Sequence, residues 1–169
     1  MAEERSIHPY VSGMAAVHRI YSSSLDAAPD YIESARGDDT RRALIANFYA
    51  NVLASLENHH VGEDELYFPL LTERAPEQLE VVNLGLEQHQ QVLALLAAAQ
   101  SGTAAWEVTG DSEGPELVRV LGSLNEALSA HCAYEEDRSC RSPRCTSVPR
   151  SGTCCPPTAR RISRATSIG

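Results

Sequence analysis

The stretch HHVGEDELYFPLL spans residues 59–71. His59 and Glu63 are four residues apart in it, so on an α-helix they lie one turn apart on the same face. Val52 and Leu56 extend that face towards the N-terminus with apolar side chains, which predicts that it points into a core. A carboxylate buried there is costly unless a cation compensates its charge. The stretch therefore predicts a helix with two metal ligands on its buried face.

A second stretch, HCAYEED at residues 131–137, repeats this arrangement. His131 and Glu135 are again four residues apart, and two acidic residues follow in both stretches. Two such helices that face each other would supply two carboxylates able to bridge two ions. Nitrogen and oxygen donors without thiolate suit iron, manganese or zinc. Because mixed imidazole and carboxylate ligands around two metals suit iron, the repeat indicates chemistry with dioxygen, nitric oxide or peroxide.

Four segments with helical periodicity carry these residues, one histidine in each. The apolar stripes are Met14, Val17, His18, Tyr21 and Leu25; Leu44 or Ile45, Phe48, Val52, Leu56, His59, Glu63 and Tyr67; Leu79, Val82, Leu86, His89, Leu93 and Leu96; and Leu117, Leu121, Leu124, Leu128, His131 and Glu135. We expect short connections between the segments. The pattern predicts an all-α fold, an up-down-up-down four-helix bundle over residues 1–137.

Local signals place the helix boundaries. Asp39 or Thr40 is the expected N-cap of the second helix, and Pro69 is expected to bend or end it. Pro76 and Pro115 suit the first turns of the third and fourth helices. Residues 101–114 are rich in Gly, Thr, Asp and Ser, so we expect a loop there.

Charge divides the chain into two chemically different parts. The net charge is −9, all 23 acidic residues precede Arg138, and half of the 14 arginines lie from Arg138 onward. The acidic part argues against nucleic-acid binding, which needs a positive surface. No stretch approaches membrane-spanning length and no apolar leader follows a basic start, so we expect a cytoplasmic protein with no membrane contact.

Residues 138–169 form an irregular tail of Ser, Arg, Pro, Cys and Thr, which predicts disorder. The change at Arg138 is so abrupt that we interpret it as a possible frameshift product. With one G restored and permissible codons, the tail reads RVLPLAEVYLSAEEWDMLPAHGA, which is amphipathic and acidic. The five cysteines, four of them in the tail, do not suit a disulfide framework, and their spacing lacks the paired form of a zinc site.

A histidine on an apolar stripe is usually a hydrogen-bonded core residue, so a bundle without metal is one alternative. Four histidines on four helices, two with glutamates at i+4, weaken that interpretation. His60 is expected to support the ligands or face solvent, although it would replace His59 if the helix were rotated. His8 is expected at the surface and Cys132 in ordinary packing. The residues expected in a solvated acidic rim are Asp64, Glu65, Glu136 and Asp137.

From Met14 to Asp137 the chain resembles the hemerythrin-like, HHE cation-binding family. The resemblance rests on His18, HHVGEDELYFPLL, EQHQQV at residues 87–92 and HCAYEED. It implies an up-down bundle that holds two non-haem iron ions, which are bridged by carboxylates and by an oxo or hydroxo ligand. The implied partners are dioxygen, nitric oxide or hydrogen peroxide. The implied metal ligands are His18, His59, Glu63, His89, His131 and Glu135.

The third helix departs from hemerythrin proper, which has two histidines four residues apart there. Gly85 stands four residues before His89, so the pattern resembles divergent bacterial members of an actinobacterial type. One fewer imidazole predicts an open coordination position, or one filled by water or by another side chain such as Tyr67. Such a position favours catalase-like peroxide disproportionation. The alternative is a non-catalytic iron or oxygen sensor that acts through a partner.

Overall fold

The computed structural model describes the backbone of residues 9–140 and the side chains of residues 13–135. Within these residues every regular element is helical, which confirms the all-α prediction. The helices are α1 (Pro9–Asp26), α2 (Ala28–Ser34), α3 (Asp39–Gly62), α4 (Phe68–Arg74), α5 (Leu79–Thr109) and α6 (Gly114–Cys140). A π-helical turn, Glu63–Tyr67, joins α3 to α4, and short 3-10 turns at Pro76–Gln78 and Asp111–Glu113 precede α5 and α6.

The long helices α1, α3, α5 and α6 form the four-helix bundle. Each packs against two of the others: α1 contacts α3 and α6, and α5 also contacts α3 and α6. Hydrogen bonds that cross the interfaces pair low with high residue numbers on α1 and α3, as in Tyr21 with Ser55 and Ser24 with Tyr49. Because a partner's number falls as the residue number rises, these neighbours are antiparallel. Partner numbers fall in the same way from Glu57–Gln100 to Asp64–His89 and from Val81–Tyr134 to His89–His131, so the bundle has the predicted up-down-up-down course.

Packing of α6 accounts for much of the core. Leu117, Leu121, Leu124 and Leu128 are buried in one stripe, as its sequence predicts. Full burial of a leucine contributes about 1.5–3 kcal/mol relative to exposure. The stripe continues directly into His131 and Glu135, which are also buried. The same face of α6 therefore forms both the apolar core and part of the polar cluster.

The buried face of α3 only partly matches the predicted one, since Ile45, Val52 and Leu56 pack in the core as expected but are joined by Tyr49 and Leu53. Tyr49, Leu53 and Leu56 are fully buried, whereas Leu44 is 68% and Phe48 40% exposed. Apolar residues cover a wide arc of this helix, so periodicity alone does not fix its rotation. The Tyr49 hydroxyl donates to the Ser24 carbonyl of α1, a tertiary contact that favours the observed face.

The expected loop over residues 101–114 is wrong for most of its length, because α5 continues to Thr109. Thr103 and Trp106 are buried on its inner face. Burial of the large indole outweighs the weak helix propensity of the neighbouring Gly and Thr residues. The helix ends at Thr109. The next residue, Gly110, has a φ of +90°, a conformation that glycine adopts readily and other residues rarely.

The short helix α2 was not predicted, and it lies between α1 and α3. Ile32 and Ala28 of α2 are buried, so the segment closes one end of the core. The N-cap of α3 is Asp38, one residue before the expected Asp39. Its carboxylate accepts from the Arg41 backbone N–H over 2.9 Å, satisfying one of the donors that a helix start leaves without a partner.

Pro69 does not end the second helical arm, because the chain continues through the π-helical turn into α4. A proline ring in an α-helix clashes with the carbonyl four residues earlier. The wider π-turn, in which the Phe68 N–H bonds to the Glu63 carbonyl, relieves this crowding. The turn thus begins at Glu63, a predicted metal ligand.

The fourth helix extends to Cys140, three residues into the predicted tail. The remainder of that tail, its cysteines and the frameshift interpretation lie outside the described residues, as does His8. None of the helices in the described part of the chain is sufficiently long and apolar to span a bilayer.

Candidate metal centre

Helices α1, α3, α5 and α6 and the π-helical turn bring all six sequence-predicted site residues to one place inside the bundle. These are His18 on α1, His59 on α3, Glu63 at the start of the π-turn, His89 on α5, and His131 and Glu135 on α6. His59 is 17% exposed in its side chain. The others are buried.

Glu63 and Glu135 each lie between two histidines. Glu63 Oε1 is 3.5 Å from His59 Nε2, and Glu63 Oε2 is 3.5 Å from His89 Nε2. Glu135 Oε2 is 3.3 Å from His18 Nε2, and Glu135 Oε1 is 3.5 Å from His131 Nε2. Each carboxylate therefore presents one oxygen to each of two histidine groups.

The first group, the two-imidazole group, consists of His18 and His59. Their Nε2 atoms are 3.2 Å apart. The ring of Tyr21 lies beside His59, with ring centroids 5.8 Å apart, and its hydroxyl bonds to Ser55. This packing fixes the group on the interface between α1 and α3.

The second group consists of His89 and His131, whose Nε2 atoms are 2.9 Å apart, and His60. The His60 ring centroid lies 4.6 Å from that of His89 and 5.3 Å from that of His131. His60 is fully buried, so the expectation that it faces solvent is wrong. We call these three residues the three-imidazole group.

Helix geometry explains why neighbouring histidines serve different groups. Successive residues of an α-helix are about 100° apart around its axis. His59 therefore faces α1, and His60 faces α5 and α6, although both stand on α3. On α5, the ring of Phe68 fills the space at Gly85, where an added Cβ would lie 2.8 Å from the ring. The third imidazole of the three-imidazole group is therefore His60 of α3, because Gly85 of α5 has no room for a side chain.

Hydrogen bonds at the Nδ1 atoms set the tautomers of the three-imidazole group. His60 Nδ1–H donates to the Leu56 carbonyl over 2.9 Å, and His89 Nδ1–H donates to Asp64 over 2.6 Å. His131 Nδ1–H donates to the Gln88 side-chain oxygen over 3.2 Å. A neutral imidazole that donates from Nδ1 carries its lone pair on Nε2. The Nε2 lone pairs of all three rings are therefore available to a ligand.

Protonation does not relieve the repulsion between these lone pairs. Burial lowers the pKa of His131 to about 2 and that of His60 to about 4, with smaller contributions from neighbouring histidines. Burial, and then the charge of His59, lowers the pKa of His18 to about 4. Burial, then Glu135 and Asp64, raises the pKa of Glu63 to about 8. Without a cation, neither imidazolium nor carboxylate is favoured here.

These residues fit a bound metal ion. The Nε2 atom of His60 and both carboxylate oxygens of Glu63 are buried without a hydrogen-bond partner. Buried polar atoms of this kind need a compensating group. Two overlapping sets, each with ligand atoms within 4.8 Å of one another, are able to hold an ion: His60, Glu63, His89 and His131; and His18, His59 and Glu63.

The other expectations have mixed outcomes. Asp64 was expected in a solvated rim, but it bonds to His89 and is only 30% exposed. Glu65 is exposed as expected, and Cys132 lies in the apolar core. Burial, then the charges of Glu135 and Glu63, raises the pKa of Tyr67. Its role as a metal ligand stays a prediction.

Sequence reasoning left His60 out of the ligand set and placed Asp64 in the solvated rim. The adjacent pair His59-His60 held a usable signal, because a helix packed between two others presents neighbouring residues to different partners. Asp64 gave no such signal, since a carboxylate after a ligand on a helix is ordinarily solvated.

The comparisons agree with this class of site. The family model described as Hemerythrin HHE cation binding domain matches residues 6–138 of the chain. No curated protein and no solved structure matches significantly. The family match and the buried His and Glu cluster thus point independently to a bound cation.

Proposed function

Since the chain belongs to the hemerythrin HHE cation-binding family, we propose that it is a non-haem di-iron protein that binds a small oxidant. The oxidants that suit this role are dioxygen, nitric oxide and hydrogen peroxide. His18 and His59 would hold one iron ion, and His60, His89 and His131 the other. Glu63 and Glu135 would bridge the two ions.

The observation that carries the proposal is the placement of the two carboxylates. Each has one oxygen 3.3–3.5 Å from a histidine of the two-imidazole group and the other 3.5 Å from one of the three-imidazole group. A cluster for a single ion needs no such division. Two glutamates that each face both groups suit two ions at bridging distance.

The donor count favours a small exogenous ligand. The three-imidazole group and the two carboxylates offer one ion five protein donors, whereas the two-imidazole group and the same two carboxylates offer the other ion four. A six-coordinate ion in the second position has more room for an external molecule. His60 thus changes the expected arrangement, because α3 supplies the imidazole that is missing from α5.

The donor types favour iron. Imidazole nitrogen and carboxylate oxygen suit iron, manganese and zinc, and neither set of candidate ligands includes a thiolate. An iron pair, when bound, supplies the one-electron steps that reversible or reductive chemistry of an oxidant needs. The protein residues hold His60, His89 and His131 in their Nδ1–H tautomers and exclude water from this three-imidazole group.

Metal analysis tests the proposal directly. The full chain is purified without a histidine tag, and iron, manganese and zinc are measured per chain together with the absorption spectrum. We expect two iron ions per chain and charge-transfer absorption in the near ultraviolet. Less than about 0.2 metal ions per chain after reconstitution with ferrous iron under anaerobic conditions would contradict it.

Turnover and simple binding are separable by a second measurement. A catalase-like protein would evolve oxygen from hydrogen peroxide over many turnovers, whereas a carrier or sensor would show one stoichiometric spectral change. The ion at the two-imidazole group has the fewer protein donors and so gives one external molecule a preferred position, and we expect the stoichiometric change. Sustained oxygen evolution that is lost in Glu63→Gln would favour peroxide disproportionation instead.

A further inference from the structure

Asp64 directly follows Glu63, and its carboxylate reaches a ring inside the cluster. The His89 Nδ1–H donates to Asp64 Oδ1 over 2.6 Å. The His89 side chain is 1% exposed and that of Asp64 is 30% exposed. The hydrogen bond therefore joins a buried imidazole to a carboxylate at the protein surface.

The other two rings of the three-imidazole group have neutral partners. His60 donates to the Leu56 carbonyl over 2.9 Å, and His131 donates to the Gln88 amide oxygen over 3.2 Å. Hydrogen bonds with an ionised partner are shorter and roughly twice as strong as neutral ones. The bond from His89 to the Asp64 carboxylate, at 2.6 Å, is accordingly the shortest of the three. Asp64 thus makes His89 different from its two neighbours.

Packing holds the same ring from another side. The Phe68 ring lies 5.1 Å from the His89 ring, between centroids, and covers Gly85 of the same helix. Asp64 and Phe68 also line a surface pocket of about 460 Å³. His89 is thereby fixed by an aromatic contact and by one charge-assisted hydrogen bond, and the carboxylate remains accessible from the pocket.

We propose that Asp64 is a positioning residue that fixes the His89 ring and makes its Nε2 the strongest nitrogen donor of the centre. This inference rests on the proposed function. A carboxylate that accepts from the Nδ1–H of a ligating histidine orients the ring and raises the basicity of the metal-binding nitrogen. The three-imidazole group therefore holds its ion more tightly than the two-imidazole group and stabilises the higher oxidation state of that ion.

Three variants test the proposal. Asp64→Asn keeps an oxygen that can accept the bond and removes the charge, whereas Asp64→Leu removes both. Glu65→Gln is the matched control, because it removes one charge from an exposed neighbour in the same turn. Cobalt(II) is titrated into the metal-free full chain, where its absorption reports the two binding steps separately.

We expect Asp64→Asn to weaken the tighter step about tenfold and Asp64→Leu about a hundredfold, the range found for outer partners of ligating histidines. The weaker step should stay unchanged in both, and Glu65→Gln should change neither. In iron-loaded protein, Asp64→Asn should make the reduction potential more positive. Equal effects of Asp64→Asn and Glu65→Gln, or a change in the weaker step alone, would overturn the inference.

Nitrogen-15 NMR of the metal-free chain supplies a second test. The His89 Nδ1–H signal should be present in wild type and Asp64→Asn and absent in Asp64→Leu. An unchanged signal in Asp64→Leu contradicts the positioning role. Wild-type protein that binds no cobalt contradicts the proposed function and this inference together. Two cobalt ions bound with equal affinity by wild type and Asp64→Leu contradict the inference alone.

Discussion

The two ends of the bundle are stabilised in opposite ways. Among the side chains that the structure describes, seven polar ones at the metal end are buried or nearly buried: His18, His59, His60, Glu63, His89, His131 and Glu135. The apolar end contains Ile32, Trp106, Leu117 and Leu121, all buried. Packing of apolar surface stabilises the second end outright, whereas the first contains desolvated groups that cost stability unless a cation compensates them. The apolar end therefore contributes most to the stability of the fold, and the other end contains the candidate metal ligands.

The strongest test of this comparison is to remove the largest side chain of the apolar end. Trp106 is 1% exposed, so Trp106→Ala should lower the free energy of unfolding by about 3–5 kcal/mol. Urea unfolding followed by circular dichroism measures this loss. Val108→Ala, at a side chain that is 87% exposed, should leave the midpoint unchanged. Equal midpoints for both variants would show that the indole does not stabilise this end.

A substitution at the metal end should have the opposite pattern. His60→Leu removes a buried Nε2 without a hydrogen-bond partner, together with the Nδ1–H bond to the Leu56 carbonyl, and introduces an apolar side chain of similar size. The metal-free variant should therefore be as stable as wild type or more stable, while its iron content falls from two ions to one. Thermal unfolding of the chelated chain and metal analysis measure the two effects. Val61→Ala, at the exposed next residue, should change neither.

The pH dependence of the metal-free protein should reflect the buried groups. Folded-state pKa values of about 4, 4 and 2 for His18, His60 and His131 lie below the ordinary 6.5, so the unfolded chain binds more protons and stability rises up to about pH 6.5. Glu63, whose pKa rises from 4.5 to about 8, has the reverse effect and keeps its proton only in the folded chain. Below pH 6.5 the three histidines oppose the effect of Glu63 on stability. Between pH 6.5 and 8 the effect of Glu63 dominates, and stability falls.

Stability of the chelated chain should accordingly reach its maximum near pH 6.5 and fall towards pH 8. Urea midpoints between pH 4.5 and 8.5 measure the profile. Glu63→Gln should remove the fall on the alkaline side, since a neutral amide has no proton to lose. A wild-type profile that is flat from pH 6.5 to 8 would contradict the raised pKa of Glu63.

The smallest expected effect lies at the apolar end. Asp38→Ala removes the carboxylate that accepts from the Arg41 N–H at the start of α3, and should cost about 1 kcal/mol. Asp38→Asn, which keeps an accepting oxygen, should cost little. Because the cap lies far from the histidines, the loss should be the same in metal-free and iron-loaded protein. A variant that also loses iron would show that the two ends are coupled.

Local patterns in the sequence were sufficient for the helical class and for the pairing of candidate ligands along each helix. The stripe from Leu117 to Glu135 is buried as predicted, because a continuous row of leucines leaves one choice of inward face. The i, i+4 spacing placed His59 near Glu63 and His131 near Glu135. Spacing within a helix is set by the backbone, so no tertiary information was needed for these pairs.

Only the tertiary structure decided the rotation of α3, the length of α5 and the roles of His60 and Asp64. A wide apolar arc on α3 allows several rotations, and contacts such as Tyr49 with Ser24 select one. The selected rotation turns His60 inward and brings Asp64 to His89. The sequence by itself determined which residues are able to bind metal along each helix. Packing between helices determined which of them meet, since the distance between two helices is not encoded in the spacing along either one.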